Sequence, residues 1–513
     1  MNAATPETSV TSAVVVGGGI SGLLAALELA KGGQNVTVLE ASDAWGGCVG
    51  SHEVGGLTLD SGAESFATRS SAVADLATEL GLGGNIVAPH PGGAWVQLPE
   101  GARELPKTGV LGIPANPWDP EVRRTLGFAG SLRASLDRLL PASVGTRAAV
   151  TSVSDLVRAR MGRRVLERLV EPVVGGVHSA DPAFLDVDMV APGLRAGIRA
   201  NGTLAAAVAA QRRVSASRQG GAPDGQQSAG QPASQPEKAG TAGQPAKAGA
   251  AVAGLKGGMH TLITALTAEL RRRGVSLIGG ASAGSVTRTA GGWRVSAGER
   301  TFDAGLLVVA LDGPTAVGLL QDAVPELAVH RPGAGPDVKL VTLVVDLPEL
   351  DSRPRGTGIL VAPQTPGIQA KALTHATAKW DWLAAAAGPG THVVRLSYGR
   401  GETRQRDAGS MAKVPLAGTW AGANDNVLLD AALRDASALL TVPVTADDVL
   451  DWDVVSWGGA LPFAAVGHRQ RVAEVRRICS GAEGLAVVGG WLAGNGLAAV
   501  VADTRKQIAG FLH

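Results

Sequence analysis

The chain has 513 residues and nearly balanced charge, 46 basic against 45 acidic side chains, for a formal net charge of +1. That length suits two or three domains with a sizeable core, and without a block of like charge nucleic acid is excluded as the main partner. Only Cys48 and Cys479 occur, far apart in sequence, and the first residues lack a secretory pattern; this excludes a disulfide scaffold and points to the cytoplasm.

The first element is a short apolar strand, Ala13–Val16, followed by a glycine turn over Gly17–Gly22, a helix over Leu23–Lys31 and a second strand over Val36–Leu39. Within the turn, Gly17, Gly19 and Gly22 follow the G-x-G-x-x-G spacing. In that spacing the first glycine permits a tight turn, the second lets a pyrophosphate approach the backbone, and the third lets helix and strand pack closely. The phosphates then sit on free N–H groups at a helix N-terminus. Glu40 lies 18 residues past Gly22, at the end of the second strand, where its carboxylate can accept hydrogen bonds from ribose hydroxyls. The pattern predicts an adenine dinucleotide held by Gly17, Gly18, Gly19, Ile20, Ser21, Gly22, Glu40 and Ala41.

Residues 110–213 carry Leu, Ala and Arg at helical spacing, as in "VSDLVRARMGRRVLERLV", and are expected to form a helical subdomain. Residues 214–253 are rich in Gly, Ala, Pro, Gln and Ser and nearly free of bulky apolar side chains, so a disordered insertion is expected. After it come a helix, short strands at hairpin spacing and a buried strand over Leu306–Leu311. From 338 to 450 the pattern alternates, as in "VKLVTLVVDLP" and "THVVRLSYGRG", predicting a second, largely antiparallel sheet. The uncharged stretch 485–502 has the length of a membrane span, but Gly489, Gly490, Gly494, Asn495 and Gly496 interrupt it. It reads better as strand, glycine turn and helix.

After Glu40 come five residues and then Gly46 and Gly47, and the C-terminal "GGWLAGNGLAAVVADT" is a second glycine turn feeding a helix. Together they resemble the extended signature of FAD-binding proteins of the amine oxidase and glutathione reductase type. The blocks "LDSGAESFATRSSAVADLATELGL", "VEPVVGGVHSADP", "KALTHATAKWDWL" and "SWGGALPFAAVGHRQRV" then follow in order along nearly the whole chain. In that order the chain is similar to bacterial FAD-dependent coproporphyrinogen III and protoporphyrinogen oxidases, most of all the soluble type acting on coproporphyrinogen III.

The resemblance implies an α/β fold: a Rossmann-type FAD-binding domain from discontinuous segments (10–75, 254–320 and 450–513), an antiparallel-sheet substrate domain (76–109 and 321–449) and the helical subdomain. It implies non-covalent FAD and the six-electron oxidation of coproporphyrinogen III by O2, with H2O2 as by-product, in heme biosynthesis. A transient contact with the next enzyme of the pathway is implied as well. It adds Gly46, Gly47, Gly62, Ala63, Glu64, Ser65, Val286, Trp457, Gly496, Ala499 and Val500 to the cofactor-binding set. Four substrate propionates call for cationic donors, and Arg69 and Lys379 are the candidates. No catalytic base is assigned, because aromatisation drives proton loss. No metal site is expected, since His178, His375 and His468 lack ligand spacing. Where the family carries a basic residue after the glycine pair, this chain has Cys48, which puts one phosphate contact in doubt. Protoporphyrinogen IX oxidase, carotenoid desaturase, amine oxidase and a non-catalytic escort protein on the same fold remain the alternatives.

Overall fold

The computed structural model describes residues 12–106, 110–148, 150–178, 181–219, 252–335, 337–399, 403–404, 413–414, 424–458, 466–494 and 496–512. Most of the low-complexity stretch, 220–251, lies outside them. Both ends of that stretch differ from expectation: the helix Leu204–Gln219 runs past 213, and the strand Val252–Leu255 begins before 254.

Five parallel strands form the first sheet, in the order Ser276–Ile278, Asn35–Leu39, Ser12–Val16, Leu306–Val309, Leu485–Val487. Three separated stretches of chain thus build one sheet. Its strands read as continuous apolar runs because both faces are covered. Ala13 and Val15 point to one side, where the opening helix Ile20–Lys31 and the closing helix Leu497–Ala509 pack. Val14 and Val16 point to the other, against Trp293 and Val295 of a three-stranded sheet. The alternation is the period of two that a strand imposes.

The second sheet has seven strands, in the order Val449–Trp457, Val338–Asp346, Thr391–Tyr398, Ala372–His375, Gly358–Val361, Trp95–Leu98, Gly101–Glu104. All neighbours are antiparallel except Gly358–Val361 with Trp95–Leu98. Two boundaries read from the sequence move. The strand Val449–Trp457 pairs in this sheet, so a division at 450 cuts through it. The helix Ala72–Glu79 buries Val73, Leu76 and Ala77 in the first core, so a division at 75 cuts through it. Periodicity marks elements, but it does not say which sheet an edge strand joins.

Helices between Pro120 and Gln219 enclose a separate apolar core. Inside it Arg160 and Asp137 are both nearly inaccessible, with Arg160 Nε 2.5 Å from Asp137 Oδ1. The guanidinium also donates to the carbonyls of Pro141, Val144 and Gly202, while Asp137 Oδ2 accepts from Ala205 N. Such a pair is tolerable only when every donor is matched. Among the described residues no helix is long and apolar enough to cross a membrane; the 485–502 stretch is the strand Leu485–Val487, a short helix Gly490–Ala493 and the start of the closing helix.

Replacing Arg160 with Met should strand the Asp137 carboxylate in this core and cost about 3–5 kcal/mol of unfolding free energy, measured by urea denaturation. A loss below about 1 kcal/mol would show that the pair carries no such burden.

Candidate functional site

The site begins where the first strand turns into the opening helix. Gly17 has φ +106°, a left-handed value that a side chain would strain. A Cβ on Gly22 would overlap the Gly17 carbonyl oxygen, so the helix can approach the sheet only with glycine there. Gly19 is different: a Cβ built on it meets no protein atom within 4 Å. Its φ of −70° suits any residue, so the opening beside it is demanded by neither packing nor backbone. The opening helix starts directly after it without a side-chain cap, and Ile20 and Ser21 are buried in its first turn. Its first N–H groups are the unmatched donors of any helix start.

Glu40 ends the neighbouring strand. Its carboxylate accepts from Gly18 N at 2.7 Å and Ser42 N at 2.9 Å, which fixes it at the rim while leaving lone pairs for further donors. Ala41 follows, exposed. Gly46, with φ +105°, donates from N to Gly18 O at 2.8 Å, and Gly19 and Gly46 form a parallel bridge. The glycine pair therefore folds back onto the first turn, and Gly47 lies against Gly19. Val286 sits on the outer strand of the three-stranded sheet, side chain buried, leaving its outward backbone edge without a strand partner among the described residues. Ala281 N donates to Glu40 O, which places the start of that strand beside the same rim.

The loop Gly62–Ser65 closes another side. Trp457 Nε1 donates to Ser61 O at 2.9 Å, so the tryptophan and the loop meet although the sequence separates them widely. Phe66, next in the chain, shares the first core with Val500 of the closing helix. That helix also starts uncapped, at Gly496, with Ala499 exposed and Val500 buried. Glycine turns, an acid at the rim and two uncapped helix starts are the features a dinucleotide needs, and these residues fit one.

One expectation is revised. Lys379 is not a free cation awaiting a propionate: its Nζ lies 2.5 Å from Glu64 Oε1. Arg69 remains exposed and forms no ion pair among the described residues. Arg395, which sequence reasoning missed, reaches Glu64 Oε2 at 3.0 Å. An arginine inside the apolar run "HVVRLSY" was the available signal. Burial pushes the Glu64 carboxyl up, but Lys379 and Arg395 beside it prevail and hold it down at about 2. His375 is wholly buried, with Nε2 3.0 Å from His392 Nδ1, and burial drives it down to about 3. His468 Nε2 lies 2.6 Å from Trp491 O. Both are core histidines, and no metal-binding cluster occurs among the described residues; the side chain of His178 lies outside the described residues.

Two outcomes follow from this geometry. Gly19→Ala should leave the unfolding temperature within about a degree while weakening retention of a bound dinucleotide roughly tenfold or more. Losing one charge-assisted hydrogen bond of about 1.5–3 kcal/mol accounts for that factor; cofactor absorbance of the purified protein reads it. The Glu64 carboxyl is depressed, so its stabilisation is present above the ordinary carboxylate range and lost as pH falls from about 4.5 towards 2. Denaturation against pH should show a share on the order of 3 kcal/mol that Glu64→Gln lacks.

Residues 20–501 match the family of flavin containing amine oxidoreductases. The chain is similar to a coproporphyrinogen III oxidase of Propionibacterium freudenreichii, 29% identical with 98% of this chain and 91% of that protein covered. One from Mycobacterium leprae is 28% identical, with 90% of each covered. A crystal structure from Exiguobacterium sp. 255-15, provisionally described as a protoporphyrinogen oxidase, superposes with a TM-score of 0.77 at 24% identity, covering 98% of this chain and 99% of that one. Cyclohexylamine oxidase from Brevibacterium oxydans shares the fold at a TM-score of 0.60 and 15% identity, over 98% and 99%. The glycine turns, the rim acid and a match spanning nearly the whole chain make this protein a member of the flavin containing amine oxidoreductase family, a flavin-dependent oxidoreductase.

Proposed function

We propose that the protein oxidises coproporphyrinogen III to coproporphyrin III in heme biosynthesis, using three molecules of O2 and releasing three of H2O2, with FAD held non-covalently. The observation that carries this reading is the full-length similarity to coproporphyrinogen III oxidases, combined with a cradle shaped for a dinucleotide. When bound, the flavin supplies a two-electron acceptor that oxygen can regenerate. The residues proposed to hold it are Gly17 to Gly22, Glu40, Ala41, Gly46, Gly47, Gly62 to Ser65, the backbone of Val286, Trp457, Gly496, Ala499 and Val500. Donors at the first turn of the opening helix would hold the pyrophosphate, and Glu40 would accept from the ribose. The start of the closing helix would offer N–H groups to the isoalloxazine, where a positive dipole end would favour added electron density. Non-covalent binding accords with Cys48, which lies beside the first glycine turn rather than at the closing one.

Substrate carboxylates need a cation with an uncommitted charge. Arg69 meets that condition and Lys379 does not. No side-chain base is assigned: the four-propionate macrocycle loses its protons as it becomes aromatic, and the chain's part is to orient it and exclude water. A transient contact with the next enzyme of the pathway belongs to the same reading. Protoporphyrinogen IX is the second candidate substrate, favoured by a protoporphyrinogen oxidase of Arabidopsis thaliana that is 31% identical, although over only 35% of this chain.

Porphyrin fluorescence under air, with both porphyrinogens offered separately to the purified protein, tests this. Coproporphyrinogen III should be consumed faster, with one H2O2 per electron pair. A flavin-containing protein that oxidises amines and neither porphyrinogen would overturn the reading. Arg69→Ala should raise KM for the four-propionate substrate several-fold at unchanged flavin content; an unaltered KM removes Arg69 from the site.

A further inference from the structure

The segment Asp60–Glu64 is bonded on both sides. Facing the nucleotide domain, Ser61 N donates to Gly50 O at 3.0 Å and Ala63 N to Cys48 O at 2.8 Å. Facing the second sheet, its carbonyls turn the other way. Arg395 Nη1, from the strand Thr391–Tyr398, donates to Asp60 O and Gly62 O, each at 3.0 Å, and Trp457 Nε1 takes Ser61 O. The second guanidinium nitrogen, Nη2, binds Glu64 Oε2 at 3.0 Å, and Lys379 holds the other carboxylate oxygen. The alternation has a simple cause: in a trans peptide the carbonyl and the following N–H point oppositely, so donors to one side require acceptors to the other. One planar fork thus meets three acceptors, two carbonyls and a carboxylate, in a geometry lysine cannot reproduce. The same loop abuts the glycine pair through Cys48, whose carbonyl leaves no room for a Cβ on Gly62.

We propose that Arg395 is a positioning residue for the flavin reaction: from the second sheet it sets where Gly62–Ser65 stands against the cofactor, and so couples the sheet that faces the substrate to the flavin. This rests on the reading of Gly62–Ser65 as a flavin-contacting loop. Arg395 touches neither substrate nor cofactor in this scheme; it acts through the loop. Its loss should therefore lower turnover without weakening substrate binding, because a displacement on the order of 1 Å at a reacting centre costs up to about a hundredfold in rate.

The test compares flavin-loaded wild type with Arg395→Lys and Arg395→Met, following anaerobic flavin reduction by coproporphyrinogen III, steady-state kcat and KM, and hydrogen exchange over 58–66. Expected is a graded fall in kcat and in the reduction rate, about tenfold for Arg395→Lys and towards a hundredfold for Arg395→Met. KM should stay within twofold, flavin content should be unchanged, and exchange should be faster in the loop. A kcat equal to wild type in Arg395→Lys together with unchanged loop exchange overturns the proposal, and so does a rise in KM alone. If Arg395→Met does not fold, Arg395→Lys decides by the same criteria. A wild type that retains no flavin, or reduces it with neither porphyrinogen, defeats the functional reading instead, so the two failures are distinct.

Discussion

The opening helix can start at Ile20 only because Gly22 carries no side chain: a Cβ there would collide with the Gly17 carbonyl oxygen. That close approach sets the angle at which helix meets sheet, and with it the direction of the helix's first N–H groups. Everything else at the rim is built on it. Glu40 is tied to Gly18 N, Gly46 N to Gly18 O, and the strand leading to Val286 to the backbone of Glu40. A single steric constraint is thereby passed outward through hydrogen bonds to the separated pieces of chain that build the first sheet. The opening beside Gly19 is what remains once these pieces are in place.

The first glycine turns and the second sheet meet at the loop after Asp60, and the chemistry of that junction is mostly electrostatic. Glu64 lies between an ammonium and a guanidinium, and its carboxyl is held at about 2 in spite of burial. A cation pair so close would repel if the acid were absent, so the carboxylate is what lets Lys379 and Arg395 share one pocket. Asp60, at the other end, takes Met259 N and His260 N with its side chain, which fastens the loop to the start of the helix His260–Arg272. The loop is therefore anchored from the turn Cys48–Gly50, from the start of the helix His260–Arg272 and from the second sheet. Anchoring from three directions holds a segment in one place.

The helical region stands apart energetically. It has its own apolar core, and its buried Arg160–Asp137 pair is satisfied almost entirely by carbonyls and N–H groups of the same region. Its links to the rest include Val466 N donating to Phe184 O and Gly467 N donating to the Asp186 carboxylate. A region so organised can vary in surface without disturbing the glycine turns, because no residue of the rim lies in its core.

Local sequence determined a good deal. The G-x-G-x-x-G turn, the acid 18 residues on and the glycine pair are all short-range signals, since each reports a backbone conformation or a hydrogen-bond acceptor needed within a few residues of itself. The helical run after 110 and the alternating strands after 338 were legible for the same reason: burial on one face leaves a period of 3.6 or 2. What the sequence could not say was who meets whom. Lys379 reads as a free cation until folding brings Glu64, 315 residues earlier, to its ammonium. Arg395 reads as an oddity in an apolar strand until the loop at Asp60 folds over it. The strand Val449–Trp457 joins the second sheet rather than the first because its partner, Val338–Asp346, offers a matching edge. Periodicity is a property of one segment and its burial. Pairing across hundreds of residues depends on which surfaces arrive together, and only the packed chain decides that.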